Sequence, residues 1–238
     1  MSELLQDPEI RVRQGAIESF IELISFFDAD DVKTEFIPSL QSHLTKDHDE
    51  NCNVRTSRAF GKLIFSLQDY ELDASVHAAF VDYFKKMAAS PELEIRENAA
   101  FNLPCMYYMY SYNEAVDFVD VYMTFSKDEA PSVRRIAAKG LHETVSMMSR
   151  TSGDAQPIKE AFFNFLMDDS LEVQRAVLER VGEIMQNFFS KEGEFQEEDR
   201  EEFFEEMVEW FEHLEELFSK KKAQTWLVLA DLIKQYTE

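Results

Sequence analysis

Apolar and small side chains recur along this sequence at spacings of three and four residues, the period of one face of a helix. One such stripe consists of Ala16, Phe20, Leu23, Ile24 and Phe27, and a later one of Val177, Val181, Ile184, Met185 and Phe188. Further amphipathic stretches alternate with these stripes, and the first of them carries Phe36, Ile37, Leu40 and Leu44. The pattern predicts pairs of amphipathic helices joined by short polar turns.

A local motif marks the second helix of each predicted pair. It is a β-branched residue followed by a basic or polar one, and it occurs at Val12-Arg13, Val54-Arg55, Ile95-Arg96, Val133-Arg134 and Val173-Gln174. The intervals are 38 to 42 residues. A period of this length is typical of stacked repeats, in which each helical hairpin buries its apolar stripe against its neighbours. We therefore predict an all-α fold, an α-solenoid (superhelix) of about five to six helical hairpins.

The predicted array extends over residues 1–190 and starts on the second helix of a unit, because Val12 has too few residues before it for another helix. We expect the chain to be a fragment of a longer array, a truncated gene product or one end of a complex. Residues 191–238 should form an acidic loop and a degenerate C-terminal helical unit. Residues 192–216 hold thirteen acids and one base, and this acidic face suits a terminal cap. Docking of a basic segment is the alternative.

Composition narrows the class of protein. Only 6 Gly and 6 Pro in 238 residues leave little turn chemistry for a sheet protein. The sequence contains 24 Lys and Arg residues and 47 Asp and Glu residues, which gives a formal net charge of −23. This charge argues against nucleic acid and anionic membrane surfaces as partners, because both are bound through a surplus of Lys and Arg. A basic protein segment fits better.

The expected compartment follows from cysteine content and from the ends of the sequence. The two cysteines, Cys52 and Cys105, cannot build a disulfide framework. The first residues lack the basic start and apolar stretch of a signal peptide, and no apolar run reaches the roughly 18–20 residues of a membrane span. We expect an intracellular location, cytoplasmic or also nuclear.

Polar residues stand five positions before each motif, at Asp7, Asp49, Ser90, Asp128 and Asp168. All are of types that accept hydrogen bonds from free N–H groups at a helix start, so we predict that they are N-caps. The basic residues that follow the β-branched ones, Arg13, Arg55, Arg96 and Arg134, lie near these carboxylates. We predict a structural repeat ladder of Arg–Asp contacts between adjacent units, with a row of ligand-binding arginines as the alternative.

The motifs resemble HEAT repeats, which have two helices per unit of about 40 residues and an Asp-x-x-x-x-Val-Arg-x-x-Ala motif opening the second helix. Residues 91–104, PELEIRENAAFNLP, and residues 128–134, DEAPSVR, are similar to repeats in regulatory subunit 1 of protein phosphatase 4 and in the scaffold subunit of protein phosphatase 2A. The resemblance implies a non-catalytic scaffold whose turns line one ridge and hold a phosphatase catalytic subunit.

The partner-binding residues that this resemblance implies lie in the turns between paired helices. They are Asp47, Asp49, Glu50, Glu92, Lys127, Asp128, Glu129, Asp168 and Asp169. Capping and solubility are the competing explanation for any one of them. The alternative function is an importin-like transport receptor or chaperone that binds basic cargo on an acidic surface.

Pro104 falls inside a predicted helix of about residues 91–110 and should kink it, because proline removes a backbone donor and clashes with the preceding turn. The following residues, 106–112, are unusually rich in tyrosine and methionine. Most of these side chains should pack in the core. One or two tyrosines are candidates for exposed interface anchors.

Chemistry-bearing motifs are missing from the sequence. It contains no phosphate-binding glycine loop, nucleophile elbow or His-Glu-x-x-His zinc motif. His43, His48 and Cys52 form the one cluster with a spacing that zinc could use, but a capping turn explains them better. We expect no catalytic residue, no metal and no cofactor, hence a protein that is not an enzyme.

Overall fold

The computed structural model describes residues 2–45, 50–110, 118–151 and 156–189, together with 201, 205 and 208. Within these residues the regular structure is entirely helical, which confirms the predicted fold class. The chain divides into two compact units, Met1–Tyr110 and Ser111–Glu238. The predicted boundary near residue 190 lies outside the described residues. No helix of the described part is long and apolar enough to cross a membrane.

The first unit opens with helices α1 (Ser2–Leu5) and α2 (Ile10–Leu23), followed by a 3₁₀ turn at Ile24–Phe26. Helix α3 (Ala29–Asp31) then runs through a π-helical turn (Val32–Phe36) into α4 (Ile37–Thr45). The remaining helices are α5 (Glu50–Ser66), α6 (Ala74–Ala88) and α7 (Leu93–Tyr110). Pro104 lies inside α7, which continues to Tyr110 as one helix.

These helices form two layers of the kind that stacked hairpins produce. Helix α4 packs against α6 in one layer, while α2 packs against α5 and α5 against α7 in the other. The apolar stripes meet between the layers, where Phe20, Phe60, Phe80 and Phe84 are fully buried. The ring of Phe60 contacts those of Phe80 and Phe84 at centroid distances of 6.3 and 6.4 Å. Hairpins therefore share one core, as the repeat pattern predicts.

A close approach fixes α7 against α5. The side-chain amide of Asn102 donates to Ser57 O at 2.9 Å, and its Oδ1 accepts from Gly61 N–H at 3.2 Å. Ser57 and Gly61 stand one helical turn apart, so the side-chain amide of Asn102 bonds to a carbonyl and to an N–H of the same turn of α5. A Cβ on Gly61 would lie 2.3 Å from Asn102 Oδ1, and glycine is therefore required there. Below it, the Cys105 thiol donates to Gly61 O, and burial raises the pKa of this thiol to about 11.

The second unit repeats the two-layer arrangement, but each of its second helices is divided into two shorter helices. Its helices are α8 (Val119–Ser126), α9 (Pro131–Lys139), α10 (Leu141–Thr151), α11 (Gln156–Leu166), α12 (Leu171–Leu178) and α13 (Val181–Phe189). Helix α8 packs against α11, α9 against α12 and α10 against α13. Phe125 and Phe165 fill the space between the layers. Within the second unit, first helices thus contact first helices and second helices contact second ones.

The motif residues occupy corresponding places in the described hairpins. Ile95, Val133 and Val173 are buried, whereas Val12 and Val54 are half-buried. Of the aromatic segment in α7, Tyr107 and Tyr110 are buried and Tyr108 is 58% exposed. Residues 111–117, which include Tyr112, lie outside the described residues.

Candidate partner-binding turns

Four described turns precede the second helices, at residues 7–9, 90–92, 128–130 and 168–170. In each, the first side chain accepts a hydrogen bond from the N–H two residues later. The pairs are Asp7 with Glu9 at 2.7 Å, Ser90 with Glu92 at 3.2 Å, Asp128 with Ala130 at 2.8 Å and Asp168 with Ser170 at 2.8 Å. Each of these hydrogen bonds closes a turn, and the turn lies just before the helix.

The N-cap prediction for these residues is therefore wrong in register. The helices begin at Ile10, Leu93, Pro131 and Leu171, three residues after the turn's first residue. The N-cap positions Glu9, Ala130 and Ser170 make no side-chain capping hydrogen bond. Asp and Ser favour both caps and turns of this type, so residue type alone does not separate the two roles. Asp49 lies outside the described residues.

A long side chain from the following helix supports each described turn. It stands six residues after the first turn residue and donates to that residue's main-chain oxygen, in the pairs Arg13–Asp7 at 2.7 Å, Arg96–Ser90 at 3.1 Å, Arg134–Asp128 at 2.6 Å and Gln174–Asp168 at 2.5 Å. Each arginine also reaches the next carbonyl, at 3.0 to 3.2 Å. These donors fix the shape of the turn from within its own unit.

Within the described residues, Arg134 makes a contact that the other turn-supporting residues do not make, because it joins two consecutive turns of the second unit. Its Nε and Nη2 donate to the carboxylate of Asp168 at 2.6 and 3.0 Å. The two side chains are only 16% and 6% exposed. Burial alone would raise the pKa of Asp168, but hydrogen bonds from Arg134 and from Ser170 N–H outweigh it and lower that pKa. The hydrogen bond to Asp168 in turn raises the pKa of Arg134.

Arg55 of the predicted arginine ladder makes a different contact, and Arg58, which lies outside that ladder, makes a similar one. Arg55 is exposed and faces Glu18 of α2, with 3.7 Å between Nη1 and Oε1. An exposed ion pair between Arg58 and Glu94 joins α5 to α7. Residues 46–49, where a turn is predicted before Arg55, lie outside the described residues. The described arginines thus donate to turn carbonyls and also pair with carboxylates of neighbouring helices.

The predicted partner-binding residues differ in how exposed their side chains are. Glu129 and Asp169 are exposed, while Glu92 and Asp128 are half-buried. Lys127 forms an ion pair with Glu160 of α11, at 2.7 Å between Nζ and Oε1. The carboxylate of Asp168 is directed at Arg134. Asp47, Asp49 and the side chain of Glu50 lie outside the described residues.

Exposed leucines accompany the acids at two of these turns and were missed from the sequence. Leu93 and Leu171 are the first residues of α7 and α12, and they are 43% and 51% exposed. Each stands three residues after the first turn residue, a register in which an apolar side chain points away from the core stripe. Their shared position in the repeat was the available signal, but neither leucine was singled out by the sequence analysis.

Neither a metal site nor a catalytic set emerges from the described residues. Within them, no group of three or more His, Cys, Asp and Glu residues converges on a site for an ion. His43 is buried, and its Nε2 lies 3.4 Å from Thr56 Oγ1. His48 and the side chain of Cys52, the other members of the zinc-spaced cluster, lie outside the described residues.

The chain is similar to two curated regulatory subunits. It is 24% identical to human serine/threonine-protein phosphatase 4 regulatory subunit 4 over 209 aligned positions, 77% of this chain. The mouse protein of that name is 23% identical over the same share. The match spans about a quarter of the length of either relative, 24% and 23%. No known protein-family profile matches. The resemblance to phosphatase 4 regulatory subunits is thereby confirmed, with subunit 4 in place of subunit 1.

Proposed function

We propose that this chain is a non-catalytic scaffold or regulatory segment that binds the catalytic subunit of a serine/threonine phosphatase, of the protein phosphatase 4 type, through its hairpin turns. The observation that carries the proposal is the match to phosphatase 4 regulatory subunit 4 over 77% of the chain. The proposal includes a cytoplasmic or nuclear location, which suits a chain with only two cysteines.

The construction of the turns supports their assignment as the binding surface. Each described turn is closed by its own first side chain and is held from inside by an arginine or glutamine. A partner would therefore meet a preorganised surface, and little conformational entropy would be lost on binding. At two of the turns an exposed leucine, Leu93 or Leu171, stands beside acidic residues, so the contact would combine charge with apolar burial.

The test measures affinity for recombinant phosphatase 4 catalytic subunit by biolayer interferometry. One variant combines Leu93→Ala with Leu171→Ala, and a second combines Glu129→Ala with Asp169→Ala. Asp168 is left intact because its carboxylate supports the array. The matched controls are Leu23→Ala, which is exposed on α2, and Asp82→Ala with Asp120→Ala, which are exposed away from the turns.

We expect wild type and controls to bind alike, and each turn variant to bind at least about tenfold more weakly, as for central interface residues. Equal binding by all variants would show that the turns are not part of the interface, without contradicting the binding of a phosphatase catalytic subunit. Absence of wild-type binding would remove the phosphatase proposal. Salt-sensitive binding of Lys- and Arg-rich peptides in its place would favour the transport-receptor alternative.

A further inference from the structure

Three apolar side chains are exposed together where α2 ends. Leu23 is its last residue, Phe26 closes the following 3₁₀ turn and Phe27 comes next, and they are 42%, 83% and 38% exposed. Side chains three residues apart lie above one another in a 3₁₀ turn, so Leu23 and Phe26 point to the same side. The ring of Phe27 stacks on the buried ring of Phe20, with 6.2 Å between centroids. Clustered exposed apolar side chains mark interaction sites, whereas scattered single ones do not.

The charge around these three side chains is negative. Residues 22–35 contain one base and five acids, which are Glu22, Asp28, Asp30, Asp31 and Glu35. The base, Lys33, already faces the exposed Glu71, with 3.7 Å between Nζ and Oε2. Glu22, Asp30 and Asp31 are exposed and form no ion pair within the described residues. The exposed apolar side chains are therefore bordered by carboxylates that have no cationic partner in this part of the chain.

The helix that packs beside α2 does not reverse this charge. Residues 60–73, the end of α5 and the loop after it, contain one base, Lys62, and three acids. Further back on α5, the charge of Arg55 is engaged by Glu18 of α2. Arg11 and Arg13 lie near the start of α2, roughly 15 to 18 Å before Leu23 at 1.5 Å per residue. Charges at such a distance are largely screened at physiological salt, so the local charge at the end of α2 stays negative.

We infer that Leu23, Phe26 and Phe27, here called the apolar patch, form a docking surface for a partner protein segment that carries aromatic or aliphatic side chains beside lysines or arginines. The apolar side chains of the segment cover Leu23 and Phe26, and its cations approach the unpaired acids on either side. Complementary charge of this kind selects a basic segment. A second copy of this chain would bring its own acids against the same acids, and this repulsion disfavours a homodimer at the apolar patch.

The apolar patch is separate from the hairpin turns. The turn at residues 7–9 precedes the start of α2, whereas the apolar patch follows its end. Helix α2 runs from Ile10 to Leu23, so the two surfaces are roughly 20 Å apart at 1.5 Å per residue. A partner on the turns would leave the apolar patch open for a second segment. The inference therefore goes beyond the proposed phosphatase binding and does not depend on it.

The test uses fluorescence polarisation of a labelled synthetic peptide of lysines with two tryptophans four positions apart, at physiological salt. Two matched peptides replace the tryptophans by alanine or the lysines by glutamate. The variants of the full chain are Phe26→Ser and Glu22→Lys. Phe101→Ser, which removes an exposed ring of α7 in the same unit, and Asp82→Lys, which reverses an exposed acid of α6, are the controls. The two charge variants change the net charge of the chain equally.

We expect the lysine–tryptophan peptide to bind and both matched peptides to bind at least about fivefold more weakly. Phe26→Ser and Glu22→Lys should each weaken binding about five- to tenfold, and the two controls should not. Equal binding of the alanine peptide, or equal effects of patch and control variants, would mean a general attraction to an acidic chain and would overturn the inference. No binding of the lysine–tryptophan peptide would overturn it as well. Unchanged circular dichroism and thermal unfolding of the variants verify that the fold is intact.

Two further measurements distinguish this docking surface from other uses of the apolar patch. Light scattering should give wild type and Phe26→Ser the same molar mass, whereas a dimer that Phe26→Ser dissociates would assign the apolar patch to a second copy and overturn the inference. Binding of phosphatase 4 catalytic subunit by Phe26→Ser should equal that of the wild type. Selective loss of phosphatase binding in this variant would place the apolar patch in the phosphatase interface and would overturn the separate site.

Discussion

At the scale of single residues, Gly61 gives the sharpest prediction. Gly61→Ala should lower the free energy of unfolding by about 1–3 kcal/mol, because the new Cβ would lie 2.3 Å from Asn102 Oδ1. Urea denaturation followed by circular dichroism measures this. Gly15→Ala is the matched control: its Cβ would have no neighbour within 4 Å, and alanine should raise the stability of α2 by roughly 0.5–1 kcal/mol. Equal effects of the two substitutions would contradict the close approach of α5 and α7.

Residue type and spacing predicted the buried motif positions but missed the Gly61–Asn102 contact. Ile95, Val133 and Val173 are buried because apolar side chains at a helical period need a neighbouring surface. Asn102 and Gly61 are 41 residues apart, and neither is distinctive in its own helix. Their contact exists only once α5 and α7 are packed, so a single sequence carries no local signal for it.

At the scale of the element, the pair Arg134–Asp168 controls how α9 and α12 meet. Asp168→Asn should cost about 1–3 kcal/mol of unfolding free energy near pH 7, since it removes a partly buried, charge-assisted pair. Asp169→Asn, at the exposed neighbouring position, should change it little. Urea titration of both variants beside the wild type measures the difference.

The pH dependence of this pair has a definite sign. The pKa of Asp168 is lower in the folded protein than the value near 3.9 of an unfolded aspartate. Its contribution is therefore complete above that unfolded value and is lost as pH falls through the folded one. The stability difference between wild type and Asp168→Asn should shrink as pH is lowered from about 5 to 2. A difference that grows on acidification would rule out the ionised pair.

At this scale, the first residue of each second helix is the feature that the sequence-based prediction places incorrectly. The repeat period predicts every second helix that the structure describes, yet it places the N-caps at Asp7, Asp128 and Asp168, three residues ahead of the observed helix starts. The same oxygen can accept from an N–H in a turn or in a first helical turn, and the choice depends on the backbone path. The supporting Arg and Gln side chains select the turn here.

At the scale of the whole molecule, the net charge of −23 is itself a destabilising element. Like charges repel most in the compact state, and the screening length falls from about 30 Å at 0.01 M salt to about 8 Å at 0.15 M. We therefore expect the midpoint of thermal unfolding at pH 7.5 to rise by a few degrees over this range of sodium chloride. Differential scanning fluorimetry of the full chain provides the measurement.

The control for this prediction is the same salt series near pH 4.5, the isoelectric point of the sequence. There the net charge vanishes, so added chloride should not raise the midpoint. Exposed pairs such as Arg58–Glu94 and Lys127–Glu160 act in the opposite direction, because salt weakens attraction as well as repulsion. A midpoint that falls with salt at pH 7.5 would mean that these surface pairs outweigh the excess of acids. A rise would show that repulsion among the acids outweighs these pairs, and a basic partner that neutralises acids is then expected to stabilise the chain as well.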